Sequence, residues 1–265
     1  MKYKIGDVAR MLGVSADILR YYEKKGVVTP EKDKNNDYRY YSSWDINFLL
    51  DCLWFKNFGF SIEQIADMVR IPDVSELNSL FLDKEDELRA TITRCQLLLK
   101  RSEEHRRDLA KIKTLLYRCE IDEQPEMVRY INRVGTTYSK NSGFEALAQR
   151  WLGALPFNSR YFEIDPQYDS GYSWGFSMTS EYADALNFDV SEPMVVIPKR
   201  KCIHTVFNNP GGKGSFCPAL LQYALTYAKE HDLTVTGPIS GILLASVVEE
   251  GQLTGYFEAW IPIES

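Results

Sequence analysis

From Leu77 to Cys119 the chain contains neither glycine nor proline. A run of that length without a helix breaker commits the middle of the protein to one long helix. Positions seven apart hold Phe81, Leu88, Cys95, Ser102, Leu109 and Leu116. A second such set holds Leu77, Lys84, Thr91, Leu98, His105, Ile112 and Cys119. Together they form an imperfect a/d seam, widened by Ile92 and Leu99, which is the pattern of a two-helix coiled coil and therefore of a homodimer. The alternative is a long helix packed on its own domain. Either way, three segments are expected: residues 1–75, a connecting helix over 76–120, and a domain over 121–265.

With 265 residues, 45% of them hydrophobic, there is enough apolar material for more than one core. The N-terminus lacks the apolar stretch of a signal peptide, and no segment approaches the roughly 20 apolar residues of a membrane span. A cytoplasmic protein without a membrane partner is expected. Cys52, Cys95, Cys119, Cys202 and Cys217 are odd in number and contain no CxxC or CxC pair. Neither a disulfide framework nor a preformed zinc site is expected, and no cofactor is implied. The net charge of −6 argues against coating nucleic acid with the whole surface. Residues 1–41 nonetheless carry nine Lys/Arg against six acids, a basic head on an acidic body.

In that head, Ile5, Val8, Ala9 and Leu12 follow a helix period and Gly13 stops it. Ser15 is placed to cap a second helix, Ala16 to Lys25. Ile18, Leu19 and Tyr22 would face the first helix, leaving Asp17, Arg20, Tyr21 and Lys24 outward. This is a helix-turn-helix, whose second helix enters the major groove of DNA. Ser15, Asp17, Arg20, Tyr21 and Lys24 are accordingly the candidate DNA-facing residues, against the blander reading of a solvated helix face. Two extended flanks around Asp33-Lys34-Asn35-Asn36-Asp37 then read as a hairpin wing. Further on, Ser43 can cap a helix running to Phe55, and Ser61 with Gln64 forms a capping box for the next.

Arg20-Tyr21-Tyr22-Glu23, Gly26, Pro30 and Tyr38-Arg39-Tyr40-Tyr41 resemble the signature of the MerR family of transcription regulators, over about the first 70 residues. The resemblance implies that Arg20, Tyr21, Tyr38, Arg39 and Lys56 contact DNA, mainly at phosphates. It also implies a dimer on an overlong promoter spacer, where effector binding bends and untwists the DNA so that RNA polymerase can engage both promoter elements. The operator would be a pseudo-palindrome matching the two-fold dimer. Two positions depart from the family pattern, Asp37 in place of glycine before the wing tyrosine and Lys32 where arginine is common; Asp tolerates turn geometry and Lys keeps the charge, so the wing is expected to form.

Beyond Pro125 the texture changes to strands at Met127–Val134, Tyr172–Met178, Met194–Ile197, Lys201–Phe207, Ile242–Val248 and Gly255–Ile263, with helices near Phe144–Leu152 and Phe216–His231. Two rounds of strand, helix, strand, strand give an α+β domain of two similar halves. The fold class expected for the whole chain is α+β: a winged helix-turn-helix, a long dimerising antiparallel coiled-coil helix, and this domain. Ile197-Pro198-Lys199, the late helix and Tyr256-Phe257-Glu258-Ala259-Trp260 resemble the GyrI-like effector-binding domains of multidrug-responsive MerR regulators.

Along the last strand, Phe257, Ala259, Ile261 and Ile263 form one face and Tyr256, Glu258 and Trp260 the other. Likewise Tyr172, Trp174, Phe176 and Met178 share a face. If these aromatic faces line one cavity, the site favours a flat or bulky apolar cation, held by ring faces and by Glu258 as countercharge. The matching glutamate in the family's multidrug sensors implies the same. Core packing for the Tyr172 strand, and a rim salt bridge for Glu258, are the alternatives. Tyr138, Trp151, Tyr161, Phe162, Tyr168 and Tyr182 are further aromatic candidates.

Other functions have thinner support. His105 and Cys119 have no metal-ligating partner in the Ile121–Pro125 loop, although sensing of metal or redox state through Cys119 remains an alternative. Glu258 with His204 and His231 makes no catalytic set, so no enzyme is expected; hydrolysis of a bound ligand is the remaining alternative. The Asn209–Ser215 run lacks phosphate-loop spacing and reads as an ordinary loop.

Overall fold

The computed structural model describes residues 2–33, 38–69, 71, 73–135, 137–138, 144–164, 171–211, 216–249 and 251–264. The chain divides into two compact units, Met1–Thr93 and Arg94–Ser265.

The head starts with β1 (Tyr3–Lys4) and α1 (Ile5–Leu12), which ends at Gly13 in a left-handed conformation, φ 66°, that glycine adopts without steric cost. Ser15 accepts a hydrogen bond from the Ile18 amide and caps α2 (Ala16–Lys24), as its sequence position suggests. β2 (Glu31–Lys32) and β3 (Arg39–Tyr41) are the arms of the wing, and β1 pairs with the far side of β3. The wing tip at 34–37, with Asp37, lies outside the described residues. α3 (Ser43–Asn57) is capped by Ser42, not by Ser43. Asp45 decides this: its amide donates to the Ser42 hydroxyl, while its carboxylate accepts from the Ser42 amide. The Ser61–Gln64 box does open α4 (Ile62–Met68). Leu19, Tyr22, Tyr41, Leu49 and Ile65 are fully buried and join these pieces into one core.

α5 (Val74–Leu115) is the long helix. Several positions of its heptad pattern serve the units themselves and not a seam. Leu77 and Phe81 pack on the head core. Lys84, 5% exposed, donates to the Gly59 carbonyl and lies over the Phe60 ring. In the second unit, Leu98 and Ile112 pack against the sheet of their own domain. Leu88, Ile92, Leu99 and Leu109 stay exposed.

The C-terminal unit is built on β4 (Cys119–Gln124), β5 (Met127–Val134), β6 (Thr137–Tyr138), α6 (Phe144–Gly153), β7 (Ser159–Ile164), β8 (Tyr172–Thr179), α7 (Ser180–Ala185), β9 (Val195–Ile197), β10 (Arg200–Asn209), α8 (Gln222–Glu230), β11 (Ile239–Glu249) and β12 (Gln252–Pro262). They form one antiparallel sheet in the order β4-β10-β12-β11-β7-β8-β5-β6, with β9 also on β5. Its symmetry is visible in that order. β5, α6, β7, β8 and β10, α8, β11, β12 are two strand-helix-strand-strand halves that meet where β7 pairs with β11.

The membership of the halves differs from the sequence reading. Met194–Ile197 contributes only the short flanking strand β9, and the missing member of the first half is β7. Tyr161 and Phe162 in β7 are adjacent and both fully buried. A strand buried on both faces shows no alternation and escapes a period-2 search. The Ile121–Pro125 segment is not a loop either. Ile121–Gln124 belongs to β4, an outer strand whose charged residues suit an exposed edge.

Candidate functional site

Two sets of residues carry chemistry, one in each unit. In the head, Ser15, Asp17, Arg20, Tyr21 and Lys24 lie in or beside α2 with exposed side chains, and Lys56 is exposed on α3. Arg20 is paired with Asp17 at 2.6 Å, so its guanidinium is oriented by its own helix but remains at the surface. The Tyr21 ring lies beneath the Lys25 ammonium, whose partner is Glu63. In the wing, Tyr38 is 58% exposed and has the Lys4 ammonium over its ring.

Glu23, which the sequence reading left without a role, ties α2 to the wing by accepting from Arg39 Nε and pairing with Lys32 at 3.3 Å. Burial pushes its carboxyl up, but the Arg39 and Lys32 contacts outweigh that and hold it below its ordinary value. A carboxyl depressed in the folded state stabilises the fold above its unfolded pKa, and that contribution fades as pH falls through the folded value. Glu23→Gln should therefore cost the head about 1 kcal/mol at neutral pH, and nothing in acid once wild-type Glu23 is protonated. Urea unfolding at both pH values checks this; parallel curves at all pH would refute it.

In the C-terminal unit the register of the sheet decides the site. Gly241 faces Ala259 and Phe162, while Ile242 faces Glu258 and Tyr161. One face of the sheet therefore carries Phe162, Trp174, Phe257, Ala259 and Ile261 under α8. The opposite face carries Glu258, Trp260, Tyr161 and Ile242, covered by the Arg94–Leu115 part of α5. On that second face a cavity of about 220 Å³ is lined by Glu258, Trp260, His204, Phe157, Tyr182 and Lys111, among others.

Of the predicted ligand residues, Glu258 and Trp260 meet in this cavity. The aromatic residues of the Tyr172 strand do not join them there. Tyr172 and Trp174 sit in the aromatic core around Phe216, and Phe176 stacks on Trp151. β8 reaches the cavity only at its end, through Ser177, Met178 and Thr179. Tyr256 points to Glu249, and Tyr138 lies under Arg133. Among the unranked aromatics Tyr182 lines the cavity, Trp151, Tyr161 and Phe162 are core, and Tyr168 lies outside the described residues.

Glu258 is 2% exposed and accepts from His204 Nε2 at 2.6 Å and from Lys111 Nζ at 2.7 Å. Burial pushes its carboxyl up, but these two partners prevail and hold it below the usual carboxylate range. The same carboxylate raises His204 and Lys111 above their ordinary values against the opposing effect of burial. His204 also faces Glu120 at 3.1 Å and stacks on Trp260 with the rings 9° from parallel. The cavity thus offers an ionised carboxylate beside an indole in an otherwise partly apolar enclosure, a combination that attracts organic cations.

Glu120, Asp122 and His204 bring three donor atoms within 4.8 Å of one another, and the two carboxylates are exposed. This is where divalent-ion donors gather among the described residues. Cys119 is elsewhere, beside Thr205, with its thiol pushed up by burial. No signal in the sequence pairs Lys111 with Glu258 or Glu120 with His204; those contacts depend on how α5 docks on the sheet and how β4 pairs with β10.

Comparison with known proteins bears mainly on the head. Residues 3–70 match the family model "MerR HTH family regulatory protein". The HTH-type transcriptional activator mta of Bacillus subtilis (strain 168) is 30% identical over 152 residues, covering 48% of this chain and 59% of mta. The HTH-type transcriptional regulator slr0701 of Synechocystis sp. is 32% identical over 112 residues, covering 42% of this chain and 80% of the relative. The chain belongs to the MerR family. A solved EcmrR–DNA complex aligns with 99% of this chain and 100% of its own at 16% identity and a TM-score of 0.37. The chain spans about half the length of the curated relatives it matches first, 49% of one and 59% of mta. No helix among the described residues is long and apolar enough to cross a membrane.

Proposed function

We propose that this chain is a ligand-responsive, DNA-binding transcription regulator, cytoplasmic and homodimeric, whose C-terminal unit takes a hydrophobic organic cation at Glu258. The buried carboxylate carries the reading. A glutamate 2% exposed beside Trp260 stays ionised because positive groups answer it, Lys111 and His204 in the free protein, and a cavity large enough for part of a small molecule opens next to it, which makes the carboxylate a place where a cationic ligand can bind.

The DNA reading draws on the MerR family membership and on the surface position of Arg20, Lys24 and Lys56. Ser15 and Asp17 hold the start of α2 at the groove, while Tyr21, Tyr38 and Arg39 extend the contact along phosphates. The exposed Leu88, Ile92, Leu99 and Leu109 of α5 support a homodimer through an antiparallel helix pair, reading a pseudo-palindromic promoter. Residues 1–75, 76–120 and 121–265 would then be the DNA-binding, dimerising and effector-binding segments. Distorting promoter DNA costs a few kcal/mol, which the effector supplies only by binding one state of the dimer more tightly than the other. Activation, as in the name of mta, follows when that distortion presents both promoter elements to RNA polymerase.

Titrating the full chain with lipophilic organic cations and matched neutral analogues, read by tryptophan fluorescence through Trp260, tests the effector class. Cations should quench saturably, and Glu258→Gln should weaken them at least about tenfold, one lost charge–charge contact in a partly dry site. Equal binding of neutral analogues, or indifference to Glu258→Gln, would reject a cationic effector.

A further inference from the structure

Glu258 already holds a cation that does not come from the sheet. Lys111 Nζ reaches it from α5 at 2.7 Å, and the Lys111 side chain lines the cavity while remaining 34% exposed, against 2% for Glu258. The second cation, His204, belongs to the wall. It is carried by β10, 3% exposed, bonded to Glu258 and Glu120 and stacked on Trp260. Lys111 differs in having somewhere else to go. Asp108, one turn earlier on α5, already lies 3.1 Å from Lys111 Nζ and keeps it paired when Glu258 is taken away.

We propose that Lys111 is a tethered occupant of the cation site, so that an organic cation reaching Glu258 displaces the Lys111 ammonium and competes with the seating of Arg94–Leu115 on the sheet. This rests on the cationic reading of Glu258 given above. The exchange has two physical consequences. The charge around Glu258 is the same before and after, so a cation replaces Lys111 without leaving a buried carboxylate short of a partner. A neutral molecule in the same place expels the ammonium and returns nothing, so it is rejected by more than its lost attraction. The exchange also couples ligand to structure. Lys111 shares its helix with Ile112 and Leu115, which pack against the Trp260 cluster, and with Glu104, which accepts from the Tyr182 hydroxyl at 2.7 Å. An effector that evicts Lys111 loosens the same stretch that those contacts hold down.

The test uses the full chain and benzyltriethylammonium, with its neutral carbon isostere as control. Binding is followed by tryptophan fluorescence in the wild type, Lys111→Met and Lys111→Gln, and amide hydrogen exchange over residues 104–115 is followed in the wild type. Both variants should bind the cation about tenfold more tightly, as expected if Lys111 occupies the site about nine-tenths of the time. Saturating cation should speed exchange at 104–115 in the wild type, a readout that needs no variant to fold. Binding that appears only in the Lys111 variants is equally in favour. If the wild type binds in a Glu258-dependent way while both variants bind no better and exchange at 104–115 does not rise, the tethered occupant is refuted and the cationic site stands. If the wild type and both Lys111 variants show no Glu258-dependent binding, both readings fall together.

Discussion

Gly241→Val is expected to unfold the C-terminal unit while the head stays folded. Gly241 lies in β11 between Phe162 on β7 and Ala259 on β12. A Cβ at that position would stand 2.1 Å from the Glu258 carbonyl oxygen and 2.4 Å from two atoms of the Phe162 ring. Neither neighbour can yield. The Glu258 backbone belongs to β12, which is paired on both sides by β10 and β11. The Phe162 ring is fully buried, with Phe216, Phe207, Phe257 and Trp174 at centroid distances of 5.1–6.0 Å. A strand glycine here marks a close approach of ring and backbone across the seam between the two halves of the sheet. Overpacking such a place costs about 3 kcal/mol or more, enough to take a unit of ordinary stability close to its threshold. Far-UV circular dichroism with limited proteolysis should show loss of the β signal and cleavage beyond residue 120, with the N-terminal fragment persisting. Unchanged melting of the C-terminal unit would mean that the sheet can open at β7–β11, contrary to the packing described.

The head and the C-terminal unit were legible in different degrees, and the reason is how local their determinants are. Gly13, Ser15 and the Ser61–Gln64 pair act within a turn of helix, so residue type and spacing suffice to place α1, α2 and α4. The one error there, Ser43 in place of Ser42, arose because adjacent serines can be separated only by which of them Asp45 reciprocates. In the last strand the alternation correctly put Glu258 and Trp260 on one face and Phe257, Ala259 and Ile261 on the other. Alternation cannot say which face of β8 that face joins. This depends on the pairing of β11 with β7 and β12, including a register shift between Leu243 and Ala245, and a slip of one residue would have moved Trp174 to the Glu258 side. The long helix was underread for a related reason. The seven-residue period marks its apolar residues as one broad seam, whereas Leu98 and Ile112 turn to the sheet, as in the alternative of a helix packed on its own domain, and Leu99 and Leu109 do not. Lys111 lies outside the heptad positions, so a search for a seam passes over the residue that meets Glu258.

Arg20→Ala combined with Lys56→Ala should weaken promoter-DNA binding by about a hundredfold at moderate salt. Both side chains are exposed cations, on α2 and α3, and each is expected at a phosphate. Losing a phosphate contact costs roughly 1–2 kcal/mol, about tenfold apiece, and sites without shared partners add. The salt dependence gives the sharper readout. Each phosphate neutralised contributes about −0.9 to the slope of log affinity against log salt, so the double variant should flatten that slope by roughly two on specific and nonspecific duplexes alike. Arg20 carries an extra requirement, because its guanidinium is paired with Asp17 at 2.6 Å in the free protein. If that pair positions Arg20 for DNA, Asp17→Asn weakens binding; if it only neutralises the cation, Asp17→Asn strengthens it. Lys229→Ala, at an exposed lysine of α8, should change neither affinity nor slope. A double variant that loses affinity without flattening the slope would move Arg20 and Lys56 from phosphate contacts to base contacts, and relaxed preference at single base pairs would then be the corresponding sign.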